Sequence, residues 1–248
     1  MPIQQMYLGL GAVADLKHTV SDNDTNLNAA TIFGSDYTVD IAKVIIIPSG
    51  FEIGATGGTG NRALTIPSGL VGTLEIQNAG TISGAGGAGG TGGGGSAGSA
   101  GGSAIYIASN NVTVTNSGTI RGGGGGGGAG NNGNTVNNVY VDSNNNVNCI
   151  GGTGGNGGNG QGYNSAATNG ASGGSRTNSW QQYGNPFFGI AQGACASSSY
   201  SNGGAGGNGG NFGASGGGNG GAGGKYVELA GGISYTASNS GTLTGNAP

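Results

Sequence analysis

Charge is scarce in this sequence: six Lys and Arg stand against nine Asp and Glu in 248 residues. The small net charge excludes disorder driven by charge repulsion, and the lack of a basic patch argues against a nucleic-acid partner. No segment approaches the roughly 20 consecutive apolar residues of a membrane span. The N-terminus MPIQQMYLGLG has no basic region, and Gln4 and Gln5 interrupt its apolar residues, so we expect no secretory signal.

Groups that carry catalysis are equally few. His18 is the single histidine, and it lies far along the chain from two GASGG motifs that match the serine-hydrolase pattern by chance in glycine-serine sequence. DNDTN (22–26) begins like a calcium-binding loop, but Leu27 stands where the loop needs glycine and Phe33 where it needs glutamate. We therefore expect no enzyme, no cofactor and no metal site.

The remaining reactive side chains have structural interpretations. Cys149 and Cys195 either form one disulfide or remain two buried free thiols. Glu52, Glu75 and Glu228 lie in or near predicted strands, where we interpret them as solvated sheet residues instead of the paired acids of a glycosidase.

Glycine, by contrast, makes up 65 of the residues and recurs with a period of three. The period runs from Gly86 to Gly101 and returns in 151–162 and 202–218. It matches neither an α-helix nor a β-strand, but it matches a polyproline-II-type helix, which has three residues per turn and no internal hydrogen bonds. Collagen is excluded because the tracts contain no proline.

Ordering these tracts is unfavourable, since fixing each residue costs about 1–2 kcal/mol and glycine loses the most freedom. The tracts have almost no side chains to bury, so net gains near 1 kcal/mol per hydrogen bond must come from most backbone amides. We therefore predict a bundle, or sandwich, of polyglycine II helices. In 151–160, Thr153, Asn156 and Asn159 should face the surface, the intervening glycines should pack on backbone, and Gly155→Val should abolish folding.

Short strands precede and interrupt the glycine tracts. Residues 36–83 contain alternating segments, and the run VIII (44–47) predicts a buried strand. Repeats that cannot bury a face alone stack on one another. We predict a β-strand collar that the chain passes three times, in a fold that is mostly β or irregular with almost no α-helix. The internal repeat aligns 63–84, 104–122 and 226–245, and each copy ends in N-[AS]-G-T-[IL]-x-G.

Composition divides the chain into four parts. Residues 1–35 lack both the repeat and the glycine period and are predicted to be an attachment segment. Loops 131–150 and 161–202 are predicted to join glycine helices at one end of the bundle. The remaining parts are a β-strand domain with the first glycine tract (36–121), the polyglycine II bundle (122–224) and the returning repeat (225–248).

Aromatic residues concentrate in the predicted loops among Asn, Gln, Ser and Gly, a composition typical of recognition surfaces. Between Gly122 and Gly224 the only charged residues are Asp142 and Arg176, so a glycan or the outer loops of a membrane protein would suit this region. The alternative is a small core that pins the loop ends together. The candidate recognition residues are Tyr140, Tyr163, Trp180, Tyr183, Phe187, Phe188 and Tyr200.

Glycine tracts of the form GGxGGxGG, separated by variable aromatic loops, resemble the receptor-recognising adhesins at the fibre tips of T-even-type bacteriophages. The N-[AS]-G-T-I-x-G segments that lead into glycine (78–90 and 116–127) also resemble the glycine-rich C-terminal part of host-specificity proteins at lambda-type tail tips. The resemblance implies a sandwich of polyglycine II helices whose joining loops select the host receptor.

This resemblance implies a non-enzymatic adhesin of the virion, at the distal tail fibre or tail tip. Its partners would be a host cell-surface receptor, either a glycan or an outer-membrane protein, and other tail or fibre proteins bound through 1–35. We expect a homotrimer, with a monomeric cap as the alternative. The reason is that four clear glycine tracts per chain, and a short one near 170–174, would leave many lattice edges unpaired. Two other functions stay open: a structural fibre or decoration subunit, and a polyglycine II ice-binding protein.

Overall fold

The computed structural model describes residues 15–142, 145–182 and 201–248. These residues form short strands, one α-helix, α1 (Ala29–Phe33), and one 3₁₀ helix (Gly34–Thr38), which confirms the expected scarcity of helix. Among the described residues there is no helix that could span a membrane. The strands are β1 (Leu16–Thr19), β2 (Asp24–Thr25), β3 (Leu27–Asn28), β4 (Ile41–Ile47), β5 (Glu52–Gly54), β6 (Leu64–Ile66), β7 (Gly72–Asn78), β8 (Thr81–Ser83), β9 (Ile105–Ile107), β10 (Val112–Asn116), β11 (Thr119–Arg121), β12 (Val136–Asp142), β13 (Asn145–Ile150), β14 (Thr177–Gln182), β15 (Val227–Leu229), β16 (Tyr235–Asn239) and β17 (Thr242–Thr244).

Most strands stack in parallel to form three sheets. The first sheet has the order β1-β4-β7-β10-β16, the second β2-β5-β8-β11-β17 and the third β3-β6-β9-β15. Every neighbouring pair in these sheets is parallel. The chain visits the first, second and third sheet in the same order on each rung, so it winds as a three-sided parallel β-solenoid.

Aliphatic side chains form continuous rows inside the solenoid. In the second sheet Ile53, Ile82 and Ile120 stand in register and are almost fully buried. In the first sheet Ile45 pairs with Ile76, which confirms the predicted buried strand around Ile45. Full burial of one such side chain stabilises a fold by about 1.5–3 kcal/mol. These rows therefore supply the hydrophobic stabilisation that the glycine tracts lack.

The internal repeat corresponds to consecutive rungs, as predicted. The asparagines of its N-[AS]-G-T motif, Asn78, Asn116 and Asn239, are in register, and their side-chain amides donate from one to the next at 2.7 Å. The motif glycines allow adjacent rungs to approach closely: a Cβ at Gly118 would lie 2.1 Å from the carbonyl oxygen of Gly80. The asparagine of the motif therefore hydrogen-bonds from rung to rung, and its glycine leaves room for the close approach of the rungs.

Residues 15–33 form the first rung of the solenoid. β1 pairs with β4 along its whole length, and the main-chain N–H of Leu27 donates to Ala63 at 2.8 Å. Ala29 and Phe33 of α1 are buried in the same core as the later rungs. Residues 15–33, which fall within the predicted attachment segment 1–35, therefore cover the second rung. Residues 1–14 lie outside the described residues.

The chain leaves the solenoid between the second and third sheets on its third and fourth rungs. These excursions, 84–104 and 122–226, hold the glycine-rich segments. We call the extended, hydrogen-bonded segments tracts 1 to 8, and together the glycine lattice. They are tract 1 (84–92), tract 2 (96–102), tract 3 (122–135), tract 4 (151–161), tract 5 (167–175), tract 6 (201–211), tract 7 (213–218) and tract 8 (220–225).

Odd-numbered tracts run away from the solenoid and even-numbered tracts return. Tracts 1 and 3 bond in parallel, with the N–H of Gly87 donating to Gly124 at 2.8 Å. Tracts 3 and 4 bond antiparallel, with the N–H of Gly127 donating to Gly158 at 2.8 Å. We call the end of the glycine lattice away from the solenoid the distal end.

Tract 3 lies at the centre of the glycine lattice. The tract that accepts from its backbone N–H groups changes with a period of three: Gly125 donates to tract 7, Gly126 to tract 2 and Gly127 to tract 4. Its carbonyl groups accept from tracts 1, 6 and 8 as well, so six tracts of the same chain surround it. Residues 122–130 are all buried, although eight of these nine are glycine. The chain therefore has a second core made of backbone.

Exposure within tract 4 follows the predicted pattern. Thr153, Asn156 and Asn159 are exposed, and a Cβ at Gly155 would lie 2.0 Å from the carbonyl oxygen of Ala171. One sequence expectation is revised: the lattice has eight described tracts, where four clear ones and a short one near 170–174 are expected. The short one is part of tract 5, which lies inside the predicted loop 161–202.

Two glycine-to-alanine substitutions test the packing of the lattice. Gly155→Ala places a methyl group against backbone and should lower the free energy of unfolding by about 1–3 kcal/mol. Gly204→Ala is the control, because its nearest neighbour would be 3.5 Å away. Alanine there should be neutral or stabilise the fold by up to about 1 kcal/mol, since it restricts the unfolded chain. Chemical denaturation measures the free energy of unfolding of both variants. Equal changes in the two would contradict the predicted contact between Gly155 and the backbone of tract 5.

Candidate functional site

Three glycine tracts end in one antiparallel sheet at the distal end. Tract 3 continues into β12, β13 continues into tract 4, and tract 5 continues into β14. β13 is the central strand and pairs with β12 on one side and β14 on the other. We call these three strands the distal sheet. Because tracts 3, 4 and 5 are hydrogen-bonded to their neighbours, the ends of all three strands are anchored in the lattice.

Two of the predicted recognition residues lie in the distal sheet. Tyr140 of β12 is in register with Asn146 of β13, and Trp180 of β14 is in register with Val147. The two predicted loops therefore meet in one sheet, although no motif in either segment indicates that they pair. Tyr183, Phe187, Phe188 and Tyr200 lie outside the described residues.

Cys149 lies in β13, close to the junction with tract 4. It is buried and disulfide-bonded. In register it faces Val136 of β12 and Asn178 of β14, so it lies at the base of the distal sheet. Cys195 lies outside the described residues, and its pairing with Cys149 stays a prediction.

Tyr163 lies at the opposite end of the lattice from the distal sheet. It occupies the tight turn between tracts 4 and 5, in which Asn164 has a φ of 52°. Its half-buried ring covers Gly54 of β5, where a Cβ would lie 2.0 Å from the ring. The structure therefore does not bring Tyr163 together with the residues of the distal sheet. The predicted loop 161–202 contains both this turn and the outgoing tract 5, and for that reason it groups Tyr163 with the residues of the distal sheet.

Phe212 occupies the corresponding turn between tracts 6 and 7 and is not among the predicted recognition residues. The guanidinium of Arg121 lies 3.9 Å from the centroid of its ring. The same guanidinium donates to Ser83 at 2.7 Å and to Glu52 at 3.0 Å. A cation–π contact of this kind contributes about 0.5–1 kcal/mol or more when partly desolvated. Phe212 and Tyr163 thus dock the lattice on the outer face of the second sheet.

Asparagine side chains complete the hydrogen bonding at the lattice edge. The Oδ1 atom of Asn159 accepts from the N–H of Gly89 at 2.9 Å, and that of Asn156 accepts from the N–H of Gly92 at 2.5 Å. These side chains take the place of a neighbouring carbonyl group where the lattice ends. The sequence predicted their exposure but not this role, because the spacing alone does not show which tract lies beside them.

The three carboxylates considered as catalytic candidates have structural partners. Burial opposes the ionisation of Glu228, but the hydrogen bond and the charge of Arg62, 2.7 Å away, act in the other direction and the net effect is a lowered pKa. Glu75 accepts a hydrogen bond from Thr115 at 3.0 Å, and Glu52 forms an ion pair with Arg121. In the part of the chain that the structure describes, no cluster of His, Cys, Asp or Glu could hold a metal ion.

The family model of the phage tail fibre adhesin Gp38 matches residues 15–248. Among solved structures, the chain is similar to the crystal structure of the gp37–gp38 adhesin tip complex of the bacteriophage S16 long tail fibre. The two share 20% sequence identity with a TM-score of 0.56, over 94% of this chain and 82% of that chain. At this identity the likeness shows a shared fold. No curated protein gives a significant match to this sequence.

Tyr163→Ala tests whether this ring docks the lattice on the solenoid. Loss of the half-buried ring should lower the free energy of unfolding by about 1–2 kcal/mol, in proportion to the apolar area that it covers. Tyr163→Phe is the matched control and should be neutral, because the ring and its contact with Gly54 remain. Thermal and urea unfolding measure the difference. An unchanged stability in Tyr163→Ala would show that the turn does not depend on the ring.

Proposed function

The chain belongs to the Gp38 family of phage tail fibre adhesins, and on this premise we propose that its distal sheet binds the host receptor. The protein is an adhesin of the distal tail fibre. One observation carries the proposal: three hydrogen-bonded tracts present a single sheet, which contains Tyr140 and Trp180, at the end of the lattice away from the solenoid. We propose no catalytic role.

We assign the eight tracts to polyglycine II helices. The hydrogen bonds of tract 3 support this assignment, because its backbone N–H groups donate to three neighbouring tracts in turn, with a period of three. In a threefold helix every third N–H points in the same direction. Burial of nearly pure glycine supports it as well. With a rise of about 3.1 Å per residue, tract 3 would hold β12 about 40 Å from the solenoid. The lattice would then act as a rigid spacer.

The receptor we propose is uncharged at the contact, as a glycan or an extracellular loop of an outer-membrane protein can be. Asp142 and Arg176 are the only charged residues between Gly122 and Gly224. Aromatic rings supply contact area and amides supply hydrogen bonds, as in other recognition surfaces. Adsorption mediated by such a surface should depend little on salt, since there is little charge to screen.

We propose that the opposite end of the molecule associates with another tail fibre protein. The similar solved structure is a complex of gp38 with gp37, which supports an association of this kind. The first rung places β1 and β2 at the edges of their sheets, and residues 1–14 precede β1. Edge strands are ready to pair with another chain. Contact through the N-terminal segment would leave the distal sheet free to meet the cell.

We propose one copy of the chain per assembly in place of the homotrimer expected from sequence. That expectation depended on too few tracts to fill a lattice. The described chain surrounds tract 3 completely with its own tracts, and Asn156 and Asn159 close part of the edge. No second copy is needed to satisfy the central backbone groups.

Sedimentation equilibrium of the purified chain tests this stoichiometry. We expect the mass of a single chain, 23.3 kDa, at micromolar concentration. The reason is that the lattice core is complete within one chain. A stable species of three times that mass would contradict the proposal and favour the trimer.

Trp180→Ala tests the distal sheet as the receptor site. An aromatic anchor at the centre of an interface contributes about 2 kcal/mol or more, which corresponds to about 30-fold in Kd. We expect soluble Trp180→Ala protein to bind host cells at least about 30-fold more weakly with little change in its melting temperature. Flow cytometry of labelled protein on host cells measures the binding.

Tyr163→Ala is the control in that experiment, because its ring lies at the solenoid end. At a temperature where the variant is folded, it should bind cells like the unmodified chain. Normal binding by Trp180→Ala together with a loss of binding by folded Tyr163→Ala would place the receptor site near the solenoid and contradict the proposal.

A further inference from the structure

The glycine lattice contains the dipeptide Asn-Gly seven times. Glycine after asparagine favours deamidation, because no side chain shields its backbone nitrogen from the neighbouring amide. The lattice would therefore be chemically fragile if its asparagines behaved as they do in an unfolded chain. The seven asparagines are Asn132, Asn156, Asn159, Asn169, Asn202, Asn208 and Asn219.

Deamidation needs the backbone N–H of the following glycine. That nitrogen loses its proton and attacks Cγ of the asparagine side chain, and the side-chain amide leaves as ammonia. The product is a five-membered succinimide. Water then opens one of its two C–N bonds, which gives either aspartate or isoaspartate. A hydrogen bond that holds the glycine N–H must open before that nitrogen can attack. A hydrogen bond that holds the asparagine Oδ1 fixes the side chain and hinders its rotation toward the nitrogen.

Five of the seven sites are held at both groups. In each, the glycine N–H donates to a carbonyl group of another tract at 2.8–3.0 Å, and the asparagine Oδ1 accepts from a main-chain N–H of another segment. At Asn156, for example, Gly157 donates to Gly90 at 2.8 Å while Oδ1 accepts from Gly92 at 2.5 Å. These five are Asn132, Asn156, Asn159, Asn202 and Asn208.

The other two sites are less constrained. The N–H of Gly170, after Asn169, donates to the side chain of Asn208 at 3.1 Å. The N–H of Gly220, after Asn219, has no acceptor among the described residues, and the exposed Asn219 side chain has no hydrogen bond there either. Asn219 belongs to the turn between tracts 7 and 8.

We propose that Asn219 is the site of spontaneous deamidation in the folded protein, and that the hydrogen bonds of the glycine lattice suppress the reaction at the five doubly held asparagines. Asn169 is intermediate, since a side chain alone holds the N–H that follows it. The lattice thus protects its own asparagines, which it needs as hydrogen-bond acceptors at its edges.

Deamidation of Asn219 would disturb its contacts with the neighbouring tracts. Its carbonyl oxygen accepts from the N–H of Gly98 at 3.1 Å, and its backbone lies against Gly128, where a Cβ would come within 2.7 Å. Isoaspartate adds one methylene to the main chain at this crowded point. We expect it to loosen tracts 2 and 8 before it affects tract 4.

Peptide mapping of the aged, full-length protein tests the proposal. The chain is incubated for weeks at neutral pH and 37 °C, either folded or in urea, and each Asn-Gly peptide is quantified by the mass change from amide to acid. In the folded chain we expect Asn219 to react at least about tenfold faster than Asn156 or Asn159, because tenfold corresponds to only about 1.4 kcal/mol of opening free energy. Asn169 should fall between them.

The unfolded chain is the control for local sequence effects. In urea the advantage of Asn219 should shrink to within a few-fold of the other sites. Asn219→Ser should remove the early reaction product and leave the slow reaction of Asn156 unchanged. The proposal is overturned if Asn156 and Asn159 react in the folded chain as fast as Asn219, or if the order of the sites is the same in both states.

Discussion

Backbone hydrogen bonding between glycine tracts is the interaction on which the rest of this molecule depends. Residues 122–130 are buried and carry almost no side chains, so their order comes from N–H and C=O groups shared with six surrounding tracts. Each bond contributes only about 1 kcal/mol net, and each ordered glycine costs at least as much. Such a core persists only when nearly every group is paired. The eight tracts and the edge asparagines achieve that together.

The solenoid supplies what the glycine lattice lacks. Its aliphatic rows bury Ile53, Ile82 and Ile120 and fix the spacing of the rungs. The chain leaves two of those rungs at the same corner, so the tracts begin side by side. This arrangement lowers the entropic cost of pairing them. The rings of Tyr163 and Phe212, which follow tracts 4 and 6, then pack on the second sheet and fix the ends of these returning tracts. A hydrophobic scaffold thereby orients a backbone core, and the backbone core carries the distal sheet.

Much of this architecture was predictable because two periodicities are explicit in the sequence. The period of three located tract 4 and identified Thr153, Asn156 and Asn159 as its exposed positions, and the N-[AS]-G-T motif identified stacked repeats. The position of Tyr163 was not predictable, because direction reversals between tracts leave no mark on a glycine-rich sequence. The first rung was missed since its short strands share neither period. The pairing of Trp180 with Val147 depends on which tracts are neighbours, and that follows from three-dimensional packing.

Amide hydrogen exchange of tract 3 tests the central claim most directly. If its backbone is the core of the lattice, the amides of 122–130 should exchange together and slowly, at rates close to those of the buried strands of the solenoid. Amides on the exposed side of tracts 5 and 7 should exchange sooner. Rapid exchange across tract 3 while β4 and β7 stay protected would contradict the account, because the glycine tracts would then be ordered only by the solenoid at their ends.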